Sequence, residues 1–192
     1  MSKVGIFGGT FDPIHLGHLI TAQSVREIRK LEKIIFIPAF ISPHKSDIIT
    51  SSAEDRLNMI KLAIDGIPFF DYSEMEIKKG GVSFTVDTLK ELKNNYDELE
   101  FIIGYDNIFE FHTWKDPDEI MNLSKIIVLK RKSSHPPQFK DKYYHQAVFV
   151  QTRGIEISAT DLRERVKKGL PINFLVPPNV LEYIHSHKLY ID

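Results

Sequence analysis

The sequence predicts a single doubly wound α/β domain spanning residues 1–192, with a mainly parallel sheet and helices on both faces. Short apolar, β-branched runs alternate along the chain with segments of helical period, and strands separated by helices join in parallel through crossovers. The 192 residues suit one core, and neither an internal repeat nor a linker-like stretch divides them.

KVGIF, Lys3 to Phe7, reads as a buried strand. Leu16 to Lys30 follows as a helix, with Leu19, Ala22, Gln23 and Arg26 marking successive turns. Lys33 to Ile37 is the next strand, ended by Pro38, and the polar loop ISPHKSDIITSS comes after it. Ser51 and Glu54 are spaced as a capping box for a helix over 54–65. Phe69 to Ile77 alternates as a half-exposed strand, and Gly80-Gly81 breaks the chain before a helix over 84–94. Leu99 to Gly104, Lys125 to Leu129 and Ala147 to Val150 supply three further strands. KRKSSHPPQFKDK reads as a basic, proline-containing surface loop. Helices over 159–168 and 178–187 finish the domain, so its C-terminal part, about 155–192, is helical.

The composition narrows the function classes. Hydrophobic residues make up 42% and charged residues 27%, and the formal charge is −1. No global basic field draws nucleic acid. The absence of cysteine excludes disulfides, thiolate metal sites and a cysteine nucleophile, and fits a reducing compartment. Apolar stretches such as Ile34 to Ile37 fall far short of the ~20 residues that span a bilayer, and the N-terminus lacks the basic and long apolar regions of a signal peptide. The expectation is a cytoplasmic protein with neither a membrane nor a nucleic-acid partner. The apolar final helix would suit a homo-oligomer.

GGTFDPIHLGH, Gly8 to His18, carries the chemistry. It follows the first strand, at the sheet edge where doubly wound folds bind ligands. Gly8 and Gly9 remove Cβ atoms where a ligand or another backbone must pass. Asp12-Pro13 is a turn signal. The helix begins near 14–17 and offers N–H groups and a positive dipole end to an anion. His15 and His18, three apart, lie on one side of its first turn. Neither G-x-G-x-x-G nor G-x-x-x-x-G-K-[ST] occurs, so hydride transfer and P-loop hydrolysis lose support. A phosphate site is the best physical reading. A zinc site built on H-x-x-H, which needs a third ligand, and a histidine-capped helix without a ligand remain alternatives.

A second stretch, Ile157-Ser158-Ala159-Thr160-Asp161-Leu162-Arg163, lies at the start of the last helix but one. Ser158 stands where an N-cap belongs, Thr160 offers a hydroxyl in the first turn, and Arg163 presents a cationic fork suited to phosphate. An ordinary capped helix with a solvated arginine would look the same.

The first stretch closely resembles G-G-T-F-D-P-x-H-x-G-H of the H-x-G-H nucleotidyltransferase superfamily, and the second resembles its I-S-x-T-x-x-R signature. The resemblance implies a Rossmann-like fold in which the loop of Gly8, Gly9, Thr10 and Phe11, with the histidines, holds a nucleotide triphosphate. Further stretches resemble one branch, the bacterial nicotinate-nucleotide adenylyltransferases. These are ISPHK, SFTVDTL, IIGYDNIFEFHTWKD and LVPPNVLEYIHSHKLY, and with the signatures they run from about 3 to 190. Tyr105 departs from that branch, which more often has a small residue there.

The resemblance implies transfer of AMP from ATP to nicotinate mononucleotide, forming deamido-NAD and pyrophosphate in NAD biosynthesis. His15, His18, Lys45 and Arg163 would be catalytic. Gly104, Asp106, Ser158 and Thr160 would join the loop in binding ATP, and Lys45, Thr85 and Trp114 would bind the mononucleotide. Each assignment has a physical rationale. Lys45 brings a point charge to phosphate, Asp106 suits paired ribose hydroxyls, Thr85 at a helix start suits a carboxylate, and Trp114 can stack on a pyridine ring or simply pack. Mg²⁺ would arrive on the ATP phosphates, with no dedicated metal site. A phosphopantetheine adenylyltransferase, a cytidylyltransferase and a non-catalytic nucleotide sensor are the alternatives.

Overall fold

The computed structural model describes residues 2–43, 51–130 and 140–191. Six strands form one sheet: β1 (Lys3–Gly9), β2 (Lys33–Pro38), β3 (Phe70–Tyr72), β4 (Glu98–Gly104), β5 (Lys125–Lys130) and β6 (Val148–Gln151). Their order is β3-β2-β1-β4-β5-β6 and every pairing is parallel. The order reverses between β1 and β4, which makes the carboxyl end of β1 the switch point where such sheets open a crevice.

Alternation along β1 serves two cores. Phe7 joins a core formed with α1 (Leu16–Arg29), α2 (Ala53–Ile64), α8 (Ala159–Lys167) and α9 (Pro178–Ser186). Val4 and Ile6 join the opposite core, beneath α4 (Thr85–Leu92), α6 (Pro117–Leu123) and α7 (Lys142–Gln146). Two short helices, α3 (Met75–Lys79) and α5 (Asn107–Glu110), and a 3₁₀ turn (Phe111–Thr113) complete the chain order.

Several expectations change. The run over 69–77 is not one strand, because β3 pairs only three residues with β2 and α3 follows. The cap of α2 is Ser52, whose hydroxyl accepts from the Asp55 N–H at 3.0 Å, and not Ser51. On α1 the buried stripe is Leu19, Ala22 and Val25, while Gln23 is exposed. The apolar face of α9 is used within the subunit, with Val180 and Ile184 fully buried in the core shared with α2.

At the opposite end of β4 from the switch point, Glu100 is buried and takes both a bidentate pair from Arg29 (2.8 and 2.8 Å) and Lys3 at 2.9 Å. Glu100→Ala leaves two cations without their partner and is expected to lower stability by about 2 kcal/mol in urea unfolding. Turnover measured on the folded variant should be unchanged.

Candidate active site

The turn after β1 is built by aromatic packing. Phe11 holds a left-handed backbone, φ 53°, which costs a bulky residue about 1 kcal/mol. Its buried ring sits edge-on to Phe7, His18 and Phe36, at centroid distances of 5.6, 5.1 and 5.7 Å. Burying such a ring contributes about 2–3 kcal/mol, so packing outweighs the strain. The ring also explains Gly9, where a Cβ would stand 3.1 Å from Phe11. The Asp12-Pro13 peptide bond that follows is cis.

His15 is the N-cap of α1, and it caps reciprocally with His18. The backbone N–H of His18 donates to Nδ1 of His15, and that of His15 donates to Nδ1 of His18, both at 3.3 Å. The two rings stack with centroids 3.6 Å apart. A neutral imidazole accepts at one nitrogen and donates at the other, whereas an imidazolium accepts at neither. The cap therefore keeps the proton off Nδ1 in both rings and leaves it on Nε2. Burial fits this state, pushing the His15 pKa down from 6.5 to about 4. The stacked ring also dictates Gly17, where a Cβ would stand 3.0 Å from Nδ1 of His15 and 3.1 Å from its Cε1. The Leu16 N–H donates to the Leu175 carbonyl at 2.9 Å, so the segment before α9 closes the same helix start.

The second motif meets the first here. Nη1 of Arg163 donates to the Asp12 carbonyl at 2.7 Å, and Nη2 donates to Oγ1 of Thr160 at 3.3 Å. Cβ of Ile157 lies 3.5 Å from the Cβ position of Gly17. Ser158 occupies the N-cap position of α8 as expected, but its side chain makes no capping bond.

Three further residues hold the turn, and sequence reading missed their roles. Arg56 is 2% exposed and donates only to carbonyls: Thr10 (2.9 Å), Ala39 (2.6 Å), Phe40 (3.1 Å) and Ser51 (3.3 Å). Burial lowers its pKa, opposed by the nearby Asp12 and Tyr190. Asp12, also 2% exposed, accepts on Oδ1 from the Ser51 N–H at 3.3 Å, the Ser51 hydroxyl and the Tyr190 hydroxyl at 2.6 Å. A signal for Arg56 was present, because it shares a helical stripe with Met59, Ile60 and Ala63, and a charge on an apolar stripe demands partners.

On the other face a cleft of about 250 Å³ opens at the ends of β1 and β2. Gly8, Gly9, Thr10, Thr85, Asn107 and Trp114 line it. Trp114 also packs on Phe111, centroids 5.2 Å apart, so it is both a packing aromatic and a wall. Glu76 lies at the cleft, accepting from the Thr88 hydroxyl at 2.6 Å, and burial raises its pKa. Gly104 ends β4, and the exposed Asp106 leads into α5 without lining the cleft. Tyr105 is buried against Phe109 and Phe149, so its departure from the family pattern alters packing beneath the sheet and not the cleft wall. Lys45 lies outside the described residues. Among the described residues, no group of three or more His, Cys, Asp or Glu side chains could hold a metal.

A helix start fitted with N–H donors and an arginine stands on one side of the β1 end, with a separate cleft on the other. Such a layout serves a nucleotidyltransferase, which must bring a nucleotide phosphate to a second substrate. The chain belongs to the cytidylyltransferase-like family, which it matches over residues 6–165, and within it to the nicotinate-nucleotide adenylyltransferases. A relative from Moorella thermoacetica is 41% identical, covering 98% of this chain and 91% of its own. One from Desulfatibacillum aliphaticivorans is 39% identical, covering 98% and 100%. Both bear the name "Probable nicotinate-nucleotide adenylyltransferase". The fold matches that of Plasmodium falciparum nicotinic acid mononucleotide adenylyltransferase complexed with NaAD, with TM-score 0.77, 21% identity and coverage of 99% and 98%.

Two outcomes follow from the cap. Because the His15 pKa is lowered from 6.5 to about 4, its stabilising contribution is complete above 6.5 and is lost as pH falls toward 4. The loss is on the order of 3 kcal/mol. His15→Asn keeps a capping acceptor without a titrating ring, so its unfolding free energy should vary less with pH across that window than the wild type's. Gly17→Ala crowds the His15 ring, which must give by a few tenths of an ångström, and should lower kcat a few-fold, while circular dichroism shows the fold retained.

Proposed function

We propose that the chain transfers AMP from Mg²⁺–ATP to nicotinate mononucleotide, releasing pyrophosphate and forming nicotinate adenine dinucleotide. The observation that carries this reading is the two-sided site. His15, His18 and Arg163 converge at the start of α1, while Thr85 and Trp114 line a separate cleft that shares Gly8, Gly9 and Thr10. The names of the relatives and the NaAD complex of the structural neighbour support the same substrate pair.

In this reading the triphosphate lies at the α1 start, against Gly8, Gly9, Thr10 and Phe11 and the α8 start with Ser158 and Thr160. Gly104 and Asp106 take the adenosine. The acceptor's carboxylate meets Thr85 at the start of α4, and its ring stacks on Trp114. The mononucleotide's phosphate oxygen is already anionic and attacks the α-phosphorus in line. The bond to the β-phosphate oxygen breaks, and pyrophosphate leaves with its electron pair. Catalysis is positioning plus stabilisation of developing charge by the Nε2–H donors, Arg163 and Lys45. Mg²⁺ enters as part of the nucleotide substrate, held through its phosphates. We further propose one domain over 1–192 and a cytoplasmic setting, consistent with no helix among the described residues being long and apolar enough to cross a membrane.

The test supplies Mg²⁺–ATP with nicotinate mononucleotide, nicotinamide mononucleotide or phosphopantetheine and measures pyrophosphate. The acid is expected to exceed the amide by on the order of 10²-fold in kcat/KM, because Thr85 and the α4 terminus favour a carboxylate. Release with phosphopantetheine alone would overturn the acceptor assignment, and no release with any acceptor would point to a non-catalytic sensor.

A further inference from the structure

Tyr190 is 178 residues from Asp12 along the chain, yet its hydroxyl donates to Oδ1 of Asp12 at 2.6 Å. Burial and the adjacent carboxylate push its pKa above the ordinary tyrosine range, so the hydroxyl keeps its proton and donates. Ser51 gives Oδ1 two more donors, its N–H and its hydroxyl. Oδ2 is buried with no hydrogen-bond partner among the described residues, and it forms an ion pair with Nη1 of Arg163 at 3.8 Å, beyond hydrogen-bonding distance. All the donors thus stand on one carboxylate oxygen, and the other faces the arginine just beyond hydrogen-bonding distance.

A carboxylate free to rotate would close that gap. It would turn the open ion pair into a direct, charge-assisted hydrogen bond with the guanidinium, favourable at a buried site, and would hold more tightly the cation meant for a nucleotide phosphate. Tyr190 and Ser51 oppose this by holding Oδ1. Arg163 meanwhile is fixed through the uncharged Asp12 carbonyl (2.7 Å) and the Thr160 hydroxyl (3.3 Å), contacts that orient it and leave its charge available.

We propose that Tyr190 is a positioning residue for the nucleotide: it restrains Asp12 from closing its open ion pair with Arg163 into a direct hydrogen bond and so keeps the arginine available to the ATP phosphates. The proposal rests on the assignment of Arg163 to those phosphates. It separates the two substrates, because neither Asp12, Arg163 nor Tyr190 lines the acceptor cleft.

The experiment is a double-mutant cycle on the full chain, read as KM for each substrate. Tyr190→Phe keeps the ring and should raise the KM for ATP about tenfold, the equivalent of one buried hydrogen bond, with the KM for nicotinate mononucleotide within twofold. In an Arg163→Gln background the same substitution should change the ATP KM less than twofold, because the cation that Asp12 would capture is gone. Ser51→Ala provides a second route with the same ATP-selective direction should Tyr190→Phe fold poorly. Independent, multiplying effects of the Tyr190 and Arg163 changes would overturn the proposal, as would a parallel rise in both KM values. An Arg163→Gln enzyme with an unaltered ATP KM would instead refute the assignment of Arg163, and the proposal with it.

Discussion

The N–H groups that α1 leaves unpaired at its start are the constraint on which the site depends. A helix exposes four such donors, and a serine or aspartate usually answers one of them. Here imidazoles do it, with His15 and His18 each accepting the other's backbone N–H. That choice propagates. The rings stack, centroids 3.6 Å apart, so a Cβ at position 17 would crowd the His15 ring. Nδ1 must accept, so the proton sits on Nε2. Glycine in H-x-G-H is therefore a packing requirement of the cap, and the histidines' donor character is set by the backbone before any nucleotide arrives.

A second constraint keeps the turn in place. Arg56 and Asp12 are each only 2% exposed, and buried charges are costly unless satisfied. Arg56 resolves this by collecting carbonyls from the β1 turn, the end of β2 and the start of α2. Asp12 resolves it with donors from Ser51 and Tyr190. Among the described residues, these two side chains tie the turn after β1 to the end of β2 and the start of α2.

The sequence made legible what is local. β1, β2, β4, β5 and β6 announced themselves as apolar runs, and His15, His18 and Gly17 sit within four residues of one another. Short helices such as α5 and α7, four and five residues long, carry too little period to read. The cap of α2 was degenerate: Ser51 with Glu54 and Ser52 with Asp55 have the same spacing. The tie is broken by Asp12, which draws Ser51 away from 39 residues upstream. Arg163 is legible as a cation suited to phosphate, and its hold on the Asp12 carbonyl, 151 residues away, leaves no local trace. Gly9 was expected to make room for a ligand or backbone, and it also makes room for the Phe11 ring.

The two faces of the sheet account for how one short turn can serve two substrates. Phe7 faces the core of α1, Ile6 faces that of α4, and only past the end of β1 can groups from both faces reach one point. Gly8, Gly9 and Thr10 occupy that point and line the cleft, directly before the histidine cap. In the proposed reaction, negative charge grows on the departing pyrophosphate at the α1 side while the acceptor stays on the α4 side. Neutral Nε2–H donors already held by the cap need no reorganisation to meet that charge, which is where fixed dipoles act most strongly. Cationic histidines would serve worse, because protonating either Nδ1 breaks the hydrogen bond that aims the ring. In the proposed reaction the positive charge then comes from Arg163 and Lys45, and the availability of the arginine bears on how tightly ATP is held.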